Sequence, residues 1–541
     1  MLNSVKYYLY ITAATSLLFI PFLGGVHLFD WDEINFAECA REMLVSGNWN
    51  AVTIDFEPFW EKPPLFIWLQ ASMMKIFGVS EFAARLPNAL CGIVTCLVTF
   101  GIGKKLYNVQ FAFLWVLSFV GSFLPHFYFK SGIIDPWFNL LIFSCIYFLV
   151  LYRSQQKLKS VVFAAVLIGV ATLTKGPAAV LILGLCAGAY WVSVGFKNVI
   201  TKKHLFVFIV VASLVGSGWF ILLLLTGNQD IISEFFLYQV RLFNTQDSGH
   251  GGPFIYHWIV LLFGCFPASI FAIKGLKKTK GLESSLSIEF KKWMAILFWV
   301  VLLLFSIVQT KIVHYSSLCY FPISYLSAYT AYGLIKGELK WKTSMSIMAV
   351  VVSTTLALVL SVLPFIDKYK GQIINSGVIR DKFAVENLKA DVYWSGFEWL
   401  LGLFFLVIVL MSLLLIHRYK IQKGIVLLFV GSMFTINVAS ILIVPKVEKY
   451  SQGAAIEFYK SLIGKDCYIM PLGFKSYAHL YYSKKQPKPI AIDNNLGWYL
   501  NGEVDKPTYF VAKITSKQHL QDNYPHLKVL YEKNGFVFYT R

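Results

Sequence analysis

Up to Pro445 the chain returns repeatedly to apolar stretches of bilayer length. A hydrocarbon core roughly 30 Å thick takes about 20 apolar residues as helix. Thirteen such windows can be marked, centred near Leu17, Ile93, Trp115, Ile142, Val166, Leu183, Val211, Leu262, Val300, Tyr320, Val352, Phe404 and Phe429. The pair flanking Lys175 and the pair flanking Lys311 are short, so each reads as a tight hairpin. Only 14% of residues are charged, against about a quarter in a soluble protein. The expected fold class is therefore an α-helical polytopic membrane protein of about thirteen transmembrane helices.

Loop charges orient the bundle. Alternate loops read "KKLYN", "RSQQKLK", "KNVITKKH", "KGLKKTKGLESSLSIEFKK", "KGELKWK" and "HRYKIQKG", while the intervening short loops hold little beyond Lys130, Lys175, Arg241 and Lys311. Basic loops stay in the cytoplasm, so the N-terminus is expected there and, after an odd number of spans, the C-terminus outside. The formal charge of +19 would suggest nucleic acid in a soluble protein. Here the basic residues sit in short loops, where orientation and anionic lipid account for them. The first apolar stretch is too long for a cleaved signal and is expected to remain as an anchor. The eight cysteines include no CxxC pair and suggest neither a zinc cluster nor a disulfide framework.

Residues 26 to 82, 227 to 253 and 365 to 396 form long segments on the expected outer side, and long connections are usually functional or disordered. The first is not disordered in composition. "EINFAECAREMLVSG" has apolar residues at helical spacing with Gly47 as a stop, and "PLFIWLQASMMKIFG" suits an interfacial or re-entrant helix. After Pro445 the chain becomes more polar. The runs "CYIMPL", "PIAI", "TYFVAK", "KVLYEK" and "FVFYTR" read as strands, "KNG" as a hairpin turn, and "AAIEFYKSLI" and "SYAHLYYSKK" as helices. Residues 446 to 541 are expected to form a small α/β extracytoplasmic domain after a membrane domain spanning 1 to 445.

The unusual polar residues are nearly all on that outer side: the acidic run Asp30, Asp32, Glu33, Glu38 and Glu42, then "FWEKPPL", "KSGIIDP", "TKGP", "RLFNTQDSGHGGPF" and "QTKIVHY". Ionisable groups near membrane depth are expensive and usually functional. Asp32, Glu33 and Asp135 suit a general base or the stabilisation of developing positive charge. Lys62, Lys311 and Arg241 suit a phosphate. Glu61 and His250 are potential metal ligands, too few to establish a metal. Each has a plainer reading. Glu33 reads equally as an acid favoured by a helix N-terminus. Asp135 before Pro136 fits a helix start, and Lys62 an ion pair with Glu61. Lys175 and Lys311 are able to snorkel towards headgroups. Their common sidedness is what raises them.

The string "DE-x3-AE-x2-REML-x-SG-x-W", then "EKPPL-x2-W" and "FG-x-SE-x-AARLP-x-AL", resembles the bacterial branch of the protein O-mannosyltransferase superfamily, which includes the lipid A aminoarabinose transferases. "D-P-x-F" at 135 to 138, "LTKGP", "GH-x2-PF-x-Y" and "K-x3-Y" at 311 to 315 continue the resemblance to about residue 325. It implies a GT-C fold and an inverting glycosyltransferase at the outer membrane face. Such an enzyme moves one sugar from a polyprenyl (undecaprenyl) phosphate carrier to lipid A, a related glycolipid or a protein. By the family pattern Asp32 is the principal carboxylate and Asp135 its partner. Lys62 and Tyr315 hold the carrier phosphate, and Glu61 with His250 holds a divalent ion. No organic cofactor is implied. Arg241 lies beside a position where relatives carry Arg, and Leu242 takes the matching place. Asn35 and Phe36 stand where relatives commonly have Arg and Tyr.

The expected setting is the bacterial inner membrane, with a monomer among membrane lipids and no nucleic-acid partner. A protein acceptor is the near alternative. A lipid-linked sugar transporter or flippase is the distant one, since transporters place charges at mid-bilayer and often show paired repeats, which are not evident here. A binding protein acting through its C-terminal domain would leave the acidic loop unexplained.

Overall fold

The computed structural model describes residues 2–244, 251–277, 284–487 and 495–541. Helix α1 (Leu2–Phe19) leads into α2 (Asp32–Ser46), whose first turn carries Asp32 and Glu33. Acids there meet the positive end of the helix dipole. Gly47 ends α2 in the left-handed region, φ 70°, where glycine is the favoured residue. A two-stranded ribbon, β1 (Thr53–Ile54) and β2 (Glu57–Pro58), then brings the chain to α3 (Leu65–Phe77). Ser80 caps α4 (Glu81–Leu106) by accepting from Ala83 N at 3.3 Å. Next come α5 (Val109–Val120), α6 (Phe123–Tyr128), and α7 (Asp135–Gln155), with Pro136 in its first turn, where a missing N–H costs nothing. Helices α8 (Leu158–Lys175) and α9 (Ala178–Ser193) are parted by Gly176 and Pro177, the hairpin expected around Lys175.

Two further helix pairs are bent. α10 (Lys202–Gly216) meets α11 (Gly218–Leu225) at 46°, and α13 (Tyr256–Gly264) meets α14 (Ala268–Gly275) at 114°, with α12 (Gln229–Asn244) between the pairs. After α15 (Ser285–Ile307) a 3-10 turn (Val313–Cys319) carries Lys311's neighbours into α16 (Tyr320–Ile335). Then follow α17 (Thr343–Lys368), the short α18 (Lys370–Asn375) and α19 (Lys382–Leu388), α20 (Leu400–His417) and α21 (Ile421–Leu442). Every one of the thirteen windows falls on helix. Among the described residues, however, seven helices are long and apolar enough to cross a membrane, or up to nine if each bent pair is one span. α5 and α9 are apolar but shorter, with 12 and 16 residues. The main core lies within the bundle, from Trp115 and Phe143 to Tyr325 and Phe429.

The C-terminal part begins with α22 (Val444–Lys449) and α23 (Gly453–Ser461). It contains a four-stranded mixed sheet in the order β3-β4-β6-β5, formed by Tyr468–Leu472, Thr508–Lys513, Phe536–Thr540 and Lys528–Lys533. β3 pairs parallel with β4, Tyr468 opposite Thr508. That pairing requires a crossover, which carries α24 (Ala478–Ser483) and α25 (Leu496–Asn501). Between β4 and β5 runs α26 (Lys517–Asn523). β5 and β6 form a hairpin through Asn534 and Gly535, both at positive φ as a tight primed turn requires. The run "PIAI" lies outside the described residues.

This part is packed against the segment after α1. Leu28 N donates to Tyr482 Oη at 2.7 Å, and Gln452 Nε2 to Leu28 O at 2.8 Å. His27 Nδ1 lies 3.1 Å from Glu448 Oε1, and the Trp31 and Tyr477 rings meet tilted at 37°, their centres 5.5 Å apart. One apolar cluster joins Ile34, Ala37 and Met43 of α2 to Ile456, Leu480 and Phe538. The N-terminus of α2 is thus clamped between bundle and sheet.

Within α2, Arg41 pairs with Glu38 at 2.6 Å and leaves Glu42 to other partners. Thr53 Oγ1 and Phe56 N donate to Glu42 Oε2 at 2.7 and 3.0 Å, while Oε1 is buried without a partner among the described residues. Burial, then the Glu38 charge one turn earlier, pushes the Glu42 carboxyl up to about 8. The folded state therefore holds this proton more tightly than the unfolded chain. Its contribution is complete below the ordinary value of 4.5 and is lost as pH rises through about 8. Wild-type stability is expected to fall by about 1 kcal/mol between pH 7 and 9. Glu42→Gln should abolish that slope, as read from thermal melts at the two pH values.

Candidate active site

Three segments meet where α2 begins. Asp32 sits in the first turn of α2, Asp135 in the first turn of α7, and His314 in the turn after α15. His314 Nε2 lies 3.1 Å from Asp32 Oδ2 and 3.9 Å from Asp135 Oδ2, so the imidazole contacts Asp32 and faces Asp135 across a gap too long for a hydrogen bond. The other Asp135 oxygen accepts from Lys175 Nζ at 2.6 Å. Asp135 Oδ2 itself is buried with no hydrogen-bond partner among the described residues. Burial raises the Asp32 carboxyl, but the hydrogen bond and charge of His314, with Lys62 and Lys175, outweigh it and hold Asp32 below its ordinary value.

Lys62 and Lys175 are the cations of this chamber. The "EKPP" turn delivers Lys62, whose Nζ lies 5.4 Å from the centre of the Tyr238 ring. Burial, opposed by the charges of Glu61 and Asp32, lowers the Lys62 ammonium from its ordinary value. Lys175 Nζ lies 5.1 Å from the Tyr315 ring centre and 5.8 Å from that of Phe138. Glu61 Oε2 accepts from Tyr238 Oη at 3.2 Å. Asn35 lines the same space, and its Oδ1 is buried without a partner among the described residues. Phe36 lines it too and packs in an apolar group with Phe66 and Ile134.

The chamber, of about 400 Å³, shares a wall with a second cavity of about 480 Å³. Lys62, Asp135, Lys175, Thr310 and Tyr315 line both. The second is walled chiefly by apolar side chains of α7, α9 and α15, among them Phe138, Leu181, Ile182, Leu304 and Phe305. A polar centre therefore adjoins an apolar groove, with two ammonium groups at the junction.

Asp32, Asp135, Lys62, Tyr315 and Glu61 are thus brought together. Two other candidates that line the chamber are engaged by partners of their own. Glu33 is not presented to the chamber as a free acid. Arg85 Nε and Nη2 donate to its two oxygens at 2.9 and 2.7 Å, and Phe29 N (at 2.9 Å) and Gly132 N donate as well. Burial raises the Glu33 carboxyl, but Arg85 and these donors hold it low. It is a buried strut between α2 and α4. Lys311 is equally committed: its ammonium donates to the carbonyls of Phe305 at 2.9 Å and Ser306 at 2.8 Å, and to that of Val308. These acceptors at the end of α15 take the three protons a phosphate would need. Arg241 is exposed on α12, 5.3 Å from the Tyr238 ring centre. His250 lies outside the described residues. Among the described residues no three His, Cys, Asp or Glu side chains converge to hold a metal ion.

His314 and Lys175 are the functional candidates that the sequence left unassigned. Both fall inside the motifs "QTKIVHY" and "LTKGP". A lysine ending one apolar run and beginning the next, beside Gly-Pro, is the signal that marks Lys175.

A family model described as dolichyl-phosphate-mannose-protein mannosyltransferase matches residues 61–221. Among curated proteins the chain is similar to undecaprenyl phosphate-alpha-4-amino-4-deoxy-L-arabinose arabinosyl transferase 1 of Proteus mirabilis. The two are 26% identical over 335 residues, 61% of this chain and 60% of that protein. The Edwardsiella ictaluri transferase of the same description is 28% identical over 324 residues, 58% of this chain and 57% of that one. The matched region thus spans about three fifths of these relatives' length. Among solved structures, ArnT from Cupriavidus metallidurans bound to undecaprenyl phosphate superposes with a TM-score of 0.77 at 17% identity, covering 99% of this chain and 98% of that one. The two chains share a fold from end to end.

Proposed function

We propose that this chain, similar over about three fifths of its length to aminoarabinose transferases, transfers a single sugar from an undecaprenyl phosphate carrier to an envelope acceptor at the periplasmic face of the inner membrane. The observation that carries this reading is the junction itself, where Lys62, Lys175 and Tyr315 line both a carboxylate-bearing chamber and an apolar groove. A polyprenyl phosphate has the same two parts, an anion and a long apolar tail.

In this scheme the tail lies along α7, α9 and α15 and the phosphate between Lys62 and Lys175. An acceptor oxygen attacks the anomeric carbon from the face opposite the phosphate. The bond from that oxygen to the sugar forms as the sugar–phosphate bond breaks, giving inversion. Undecaprenyl phosphate leaves with the bonding electrons, and the two ammonium groups meet its growing charge. If the acceptor is a hydroxyl, Asp32 takes its proton. If it is a phosphate, the nucleophile is already anionic, and Asp32 orients it while opposing charge builds on the sugar ring. Asp135 holds Lys175 in place. Glu61 and His250 are the pair to which a divalent ion would be assigned.

4-Amino-4-deoxy-L-arabinose is the first sugar to test and a lipid A-type glycolipid the first acceptor, with secreted protein second. Mass spectrometry of envelope lipids and glycoproteins from a deletion strain should show one sugar missing from the glycolipid fraction; an unchanged envelope would refute the reading. Lys62→Gln and Lys175→Gln should each weaken binding of undecaprenyl phosphate by about tenfold, as expected for a charge-assisted contact. The loss should shrink as salt is raised, because salt screens the contact it removes.

A further inference from the structure

The turn that carries His314 is held from behind. It is a 3-10 helix, Val313–Cys319, in which side chains three residues apart eclipse one another. Ser317 therefore stands in line with His314, one turn further along. Its hydroxyl closes a triangle of hydrogen bonds. Asn139 Nδ2 donates to Ser317 Oγ at 2.8 Å and to Tyr128 Oη at 2.6 Å, and the two hydroxyl oxygens lie 2.9 Å apart. Asn139 follows Asp135 by one turn of α7, so one face of that helix offers both the carboxylate that holds Lys175 and the amide that holds this turn. The neighbouring Ser316 lies with its Oγ 3.1 Å from Nδ1 of His257 on α13. All five side chains are buried. Buried polar groups are costly unless they bond one another, and a satisfied network fixes direction in a way that apolar packing does not.

We propose that Tyr128, Asn139 and Ser317 are positioning residues for the transfer step, fixing the rotation of the 3-10 helix and so holding the His314 imidazole against Asp32. The inference rests on the transferase reading above, with Asp32 as its reactive carboxylate. His314 has little packing of its own to hold it: its side chain is 18% exposed and lines the chamber. Its direction follows from the backbone of its turn, and the triangle at Ser317 sets that backbone. The margin is small. His314 Nε2 is 3.1 Å from Asp32 Oδ2, so a retreat of about 1 Å takes it beyond hydrogen-bond range. A misplacement of that size, caused by a substitution away from the reacting atoms, can cost about 10²-fold in rate. A cluster that served folding alone would be indifferent to whether the imidazole is present.

The test uses the full chain in nanodiscs, with Ser317→Ala and Tyr128→Phe each removing one hydroxyl, alone and combined with His314→Gln. Ser317→Ala should slow transfer by about tenfold and Tyr128→Phe by a few-fold, the loss falling on kcat rather than on KM for the donor. In the His314→Gln background neither should cost more than about twofold, because the brace acts through the imidazole. The acid limb of activity, set at Asp32 by His314, Lys62 and Lys175, should move upward in Ser317→Ala as in His314→Gln. Nitrogen NMR of histidine-labelled protein gives a readout without turnover. The His314 Nε2 resonance, identified by its absence from His314→Gln, should move in Ser317→Ala in the direction it moves in Asp32→Asn. Equal losses with and without His314, or a His314 resonance unmoved by Ser317→Ala, would overturn the brace. Should Ser317→Ala fail to fold, Tyr128→Phe decides by the same readouts. A resonance that responds to Ser317→Ala in a protein that transfers no sugar would leave the brace standing and count against the transferase reading instead.

Discussion

Asp32→Asn is expected to reduce sugar transfer by about 10²- to 10⁴-fold, the range a positioned acid or base supplies, while the protein still folds and still binds undecaprenyl phosphate. The change removes one charge and keeps the shape. The Asp32 side chain is 29% exposed and contacts His314 rather than a packed core, so melting temperature should move little. Transfer rates with purified variant and donor, beside binding of the carrier alone, separate the two effects. The pH profile adds a second signature. Since His314, Lys62 and Lys175 together outweigh burial and hold Asp32 below its ordinary value of 3.8, the reactive carboxylate persists across neutral pH, and the acid limb of activity should lie below the usual carboxylate range. His314→Gln removes the leading stabiliser and should move that limb upward. An unmoved limb would mean that the imidazole does not set the state of Asp32.

Arg85→Met should have the largest effect on stability, about 3–5 kcal/mol, the cost of stranding one member of a buried ion pair. The Arg85 and Glu33 side chains are 6% and 5% exposed. Arg85 also donates to the carbonyls of Leu23, Val26 and His27, so it ties the loop before α2 to α4. Loss of folded protein, followed by melting temperature and yield, is the expected readout. Arg85→Met combined with Glu33→Met should recover part of the loss, because the stranded charge goes too. Glu33→Gln gives the contrast with Asp32. A strut that keeps its shape should lose stability before turnover, whereas a Glu33 variant that is stable but inactive would restore the carboxylate to the reaction.

Periodicity and turn chemistry made much of this fold legible. All thirteen apolar windows carry helix, Gly47 stops α2, and Asn534-Gly535 turns the last hairpin, because these signals are local. The number of spans was less legible, since α5, α9 and α16 are apolar yet short within the bundle. At the site, sidedness singled out Asp32, Lys62 and Asp135, and the family resemblance added Tyr315. What sequence alone did not resolve was which partners each charge meets. Glu33 and Asp32 are adjacent and chemically alike, yet an arginine 52 residues away claims one of them. Lys311 looks like an anion binder, but the carbonyls of its own preceding helix take its protons. His314 gains its role only where α2 and α7 begin side by side.

Photolabelling with a photoreactive undecaprenyl phosphate, followed by peptide mapping, tests most directly whether carrier and carboxylates share one space. Label is expected on peptides holding Phe138, Leu181, Ile182, Leu304 and Phe305, and it should fall when Lys62 and Lys175 are both replaced by Gln. Label confined to the outer faces of α17 and α20, or unaffected by the loss of both lysines, would place the carrier away from Asp32 and contradict the site.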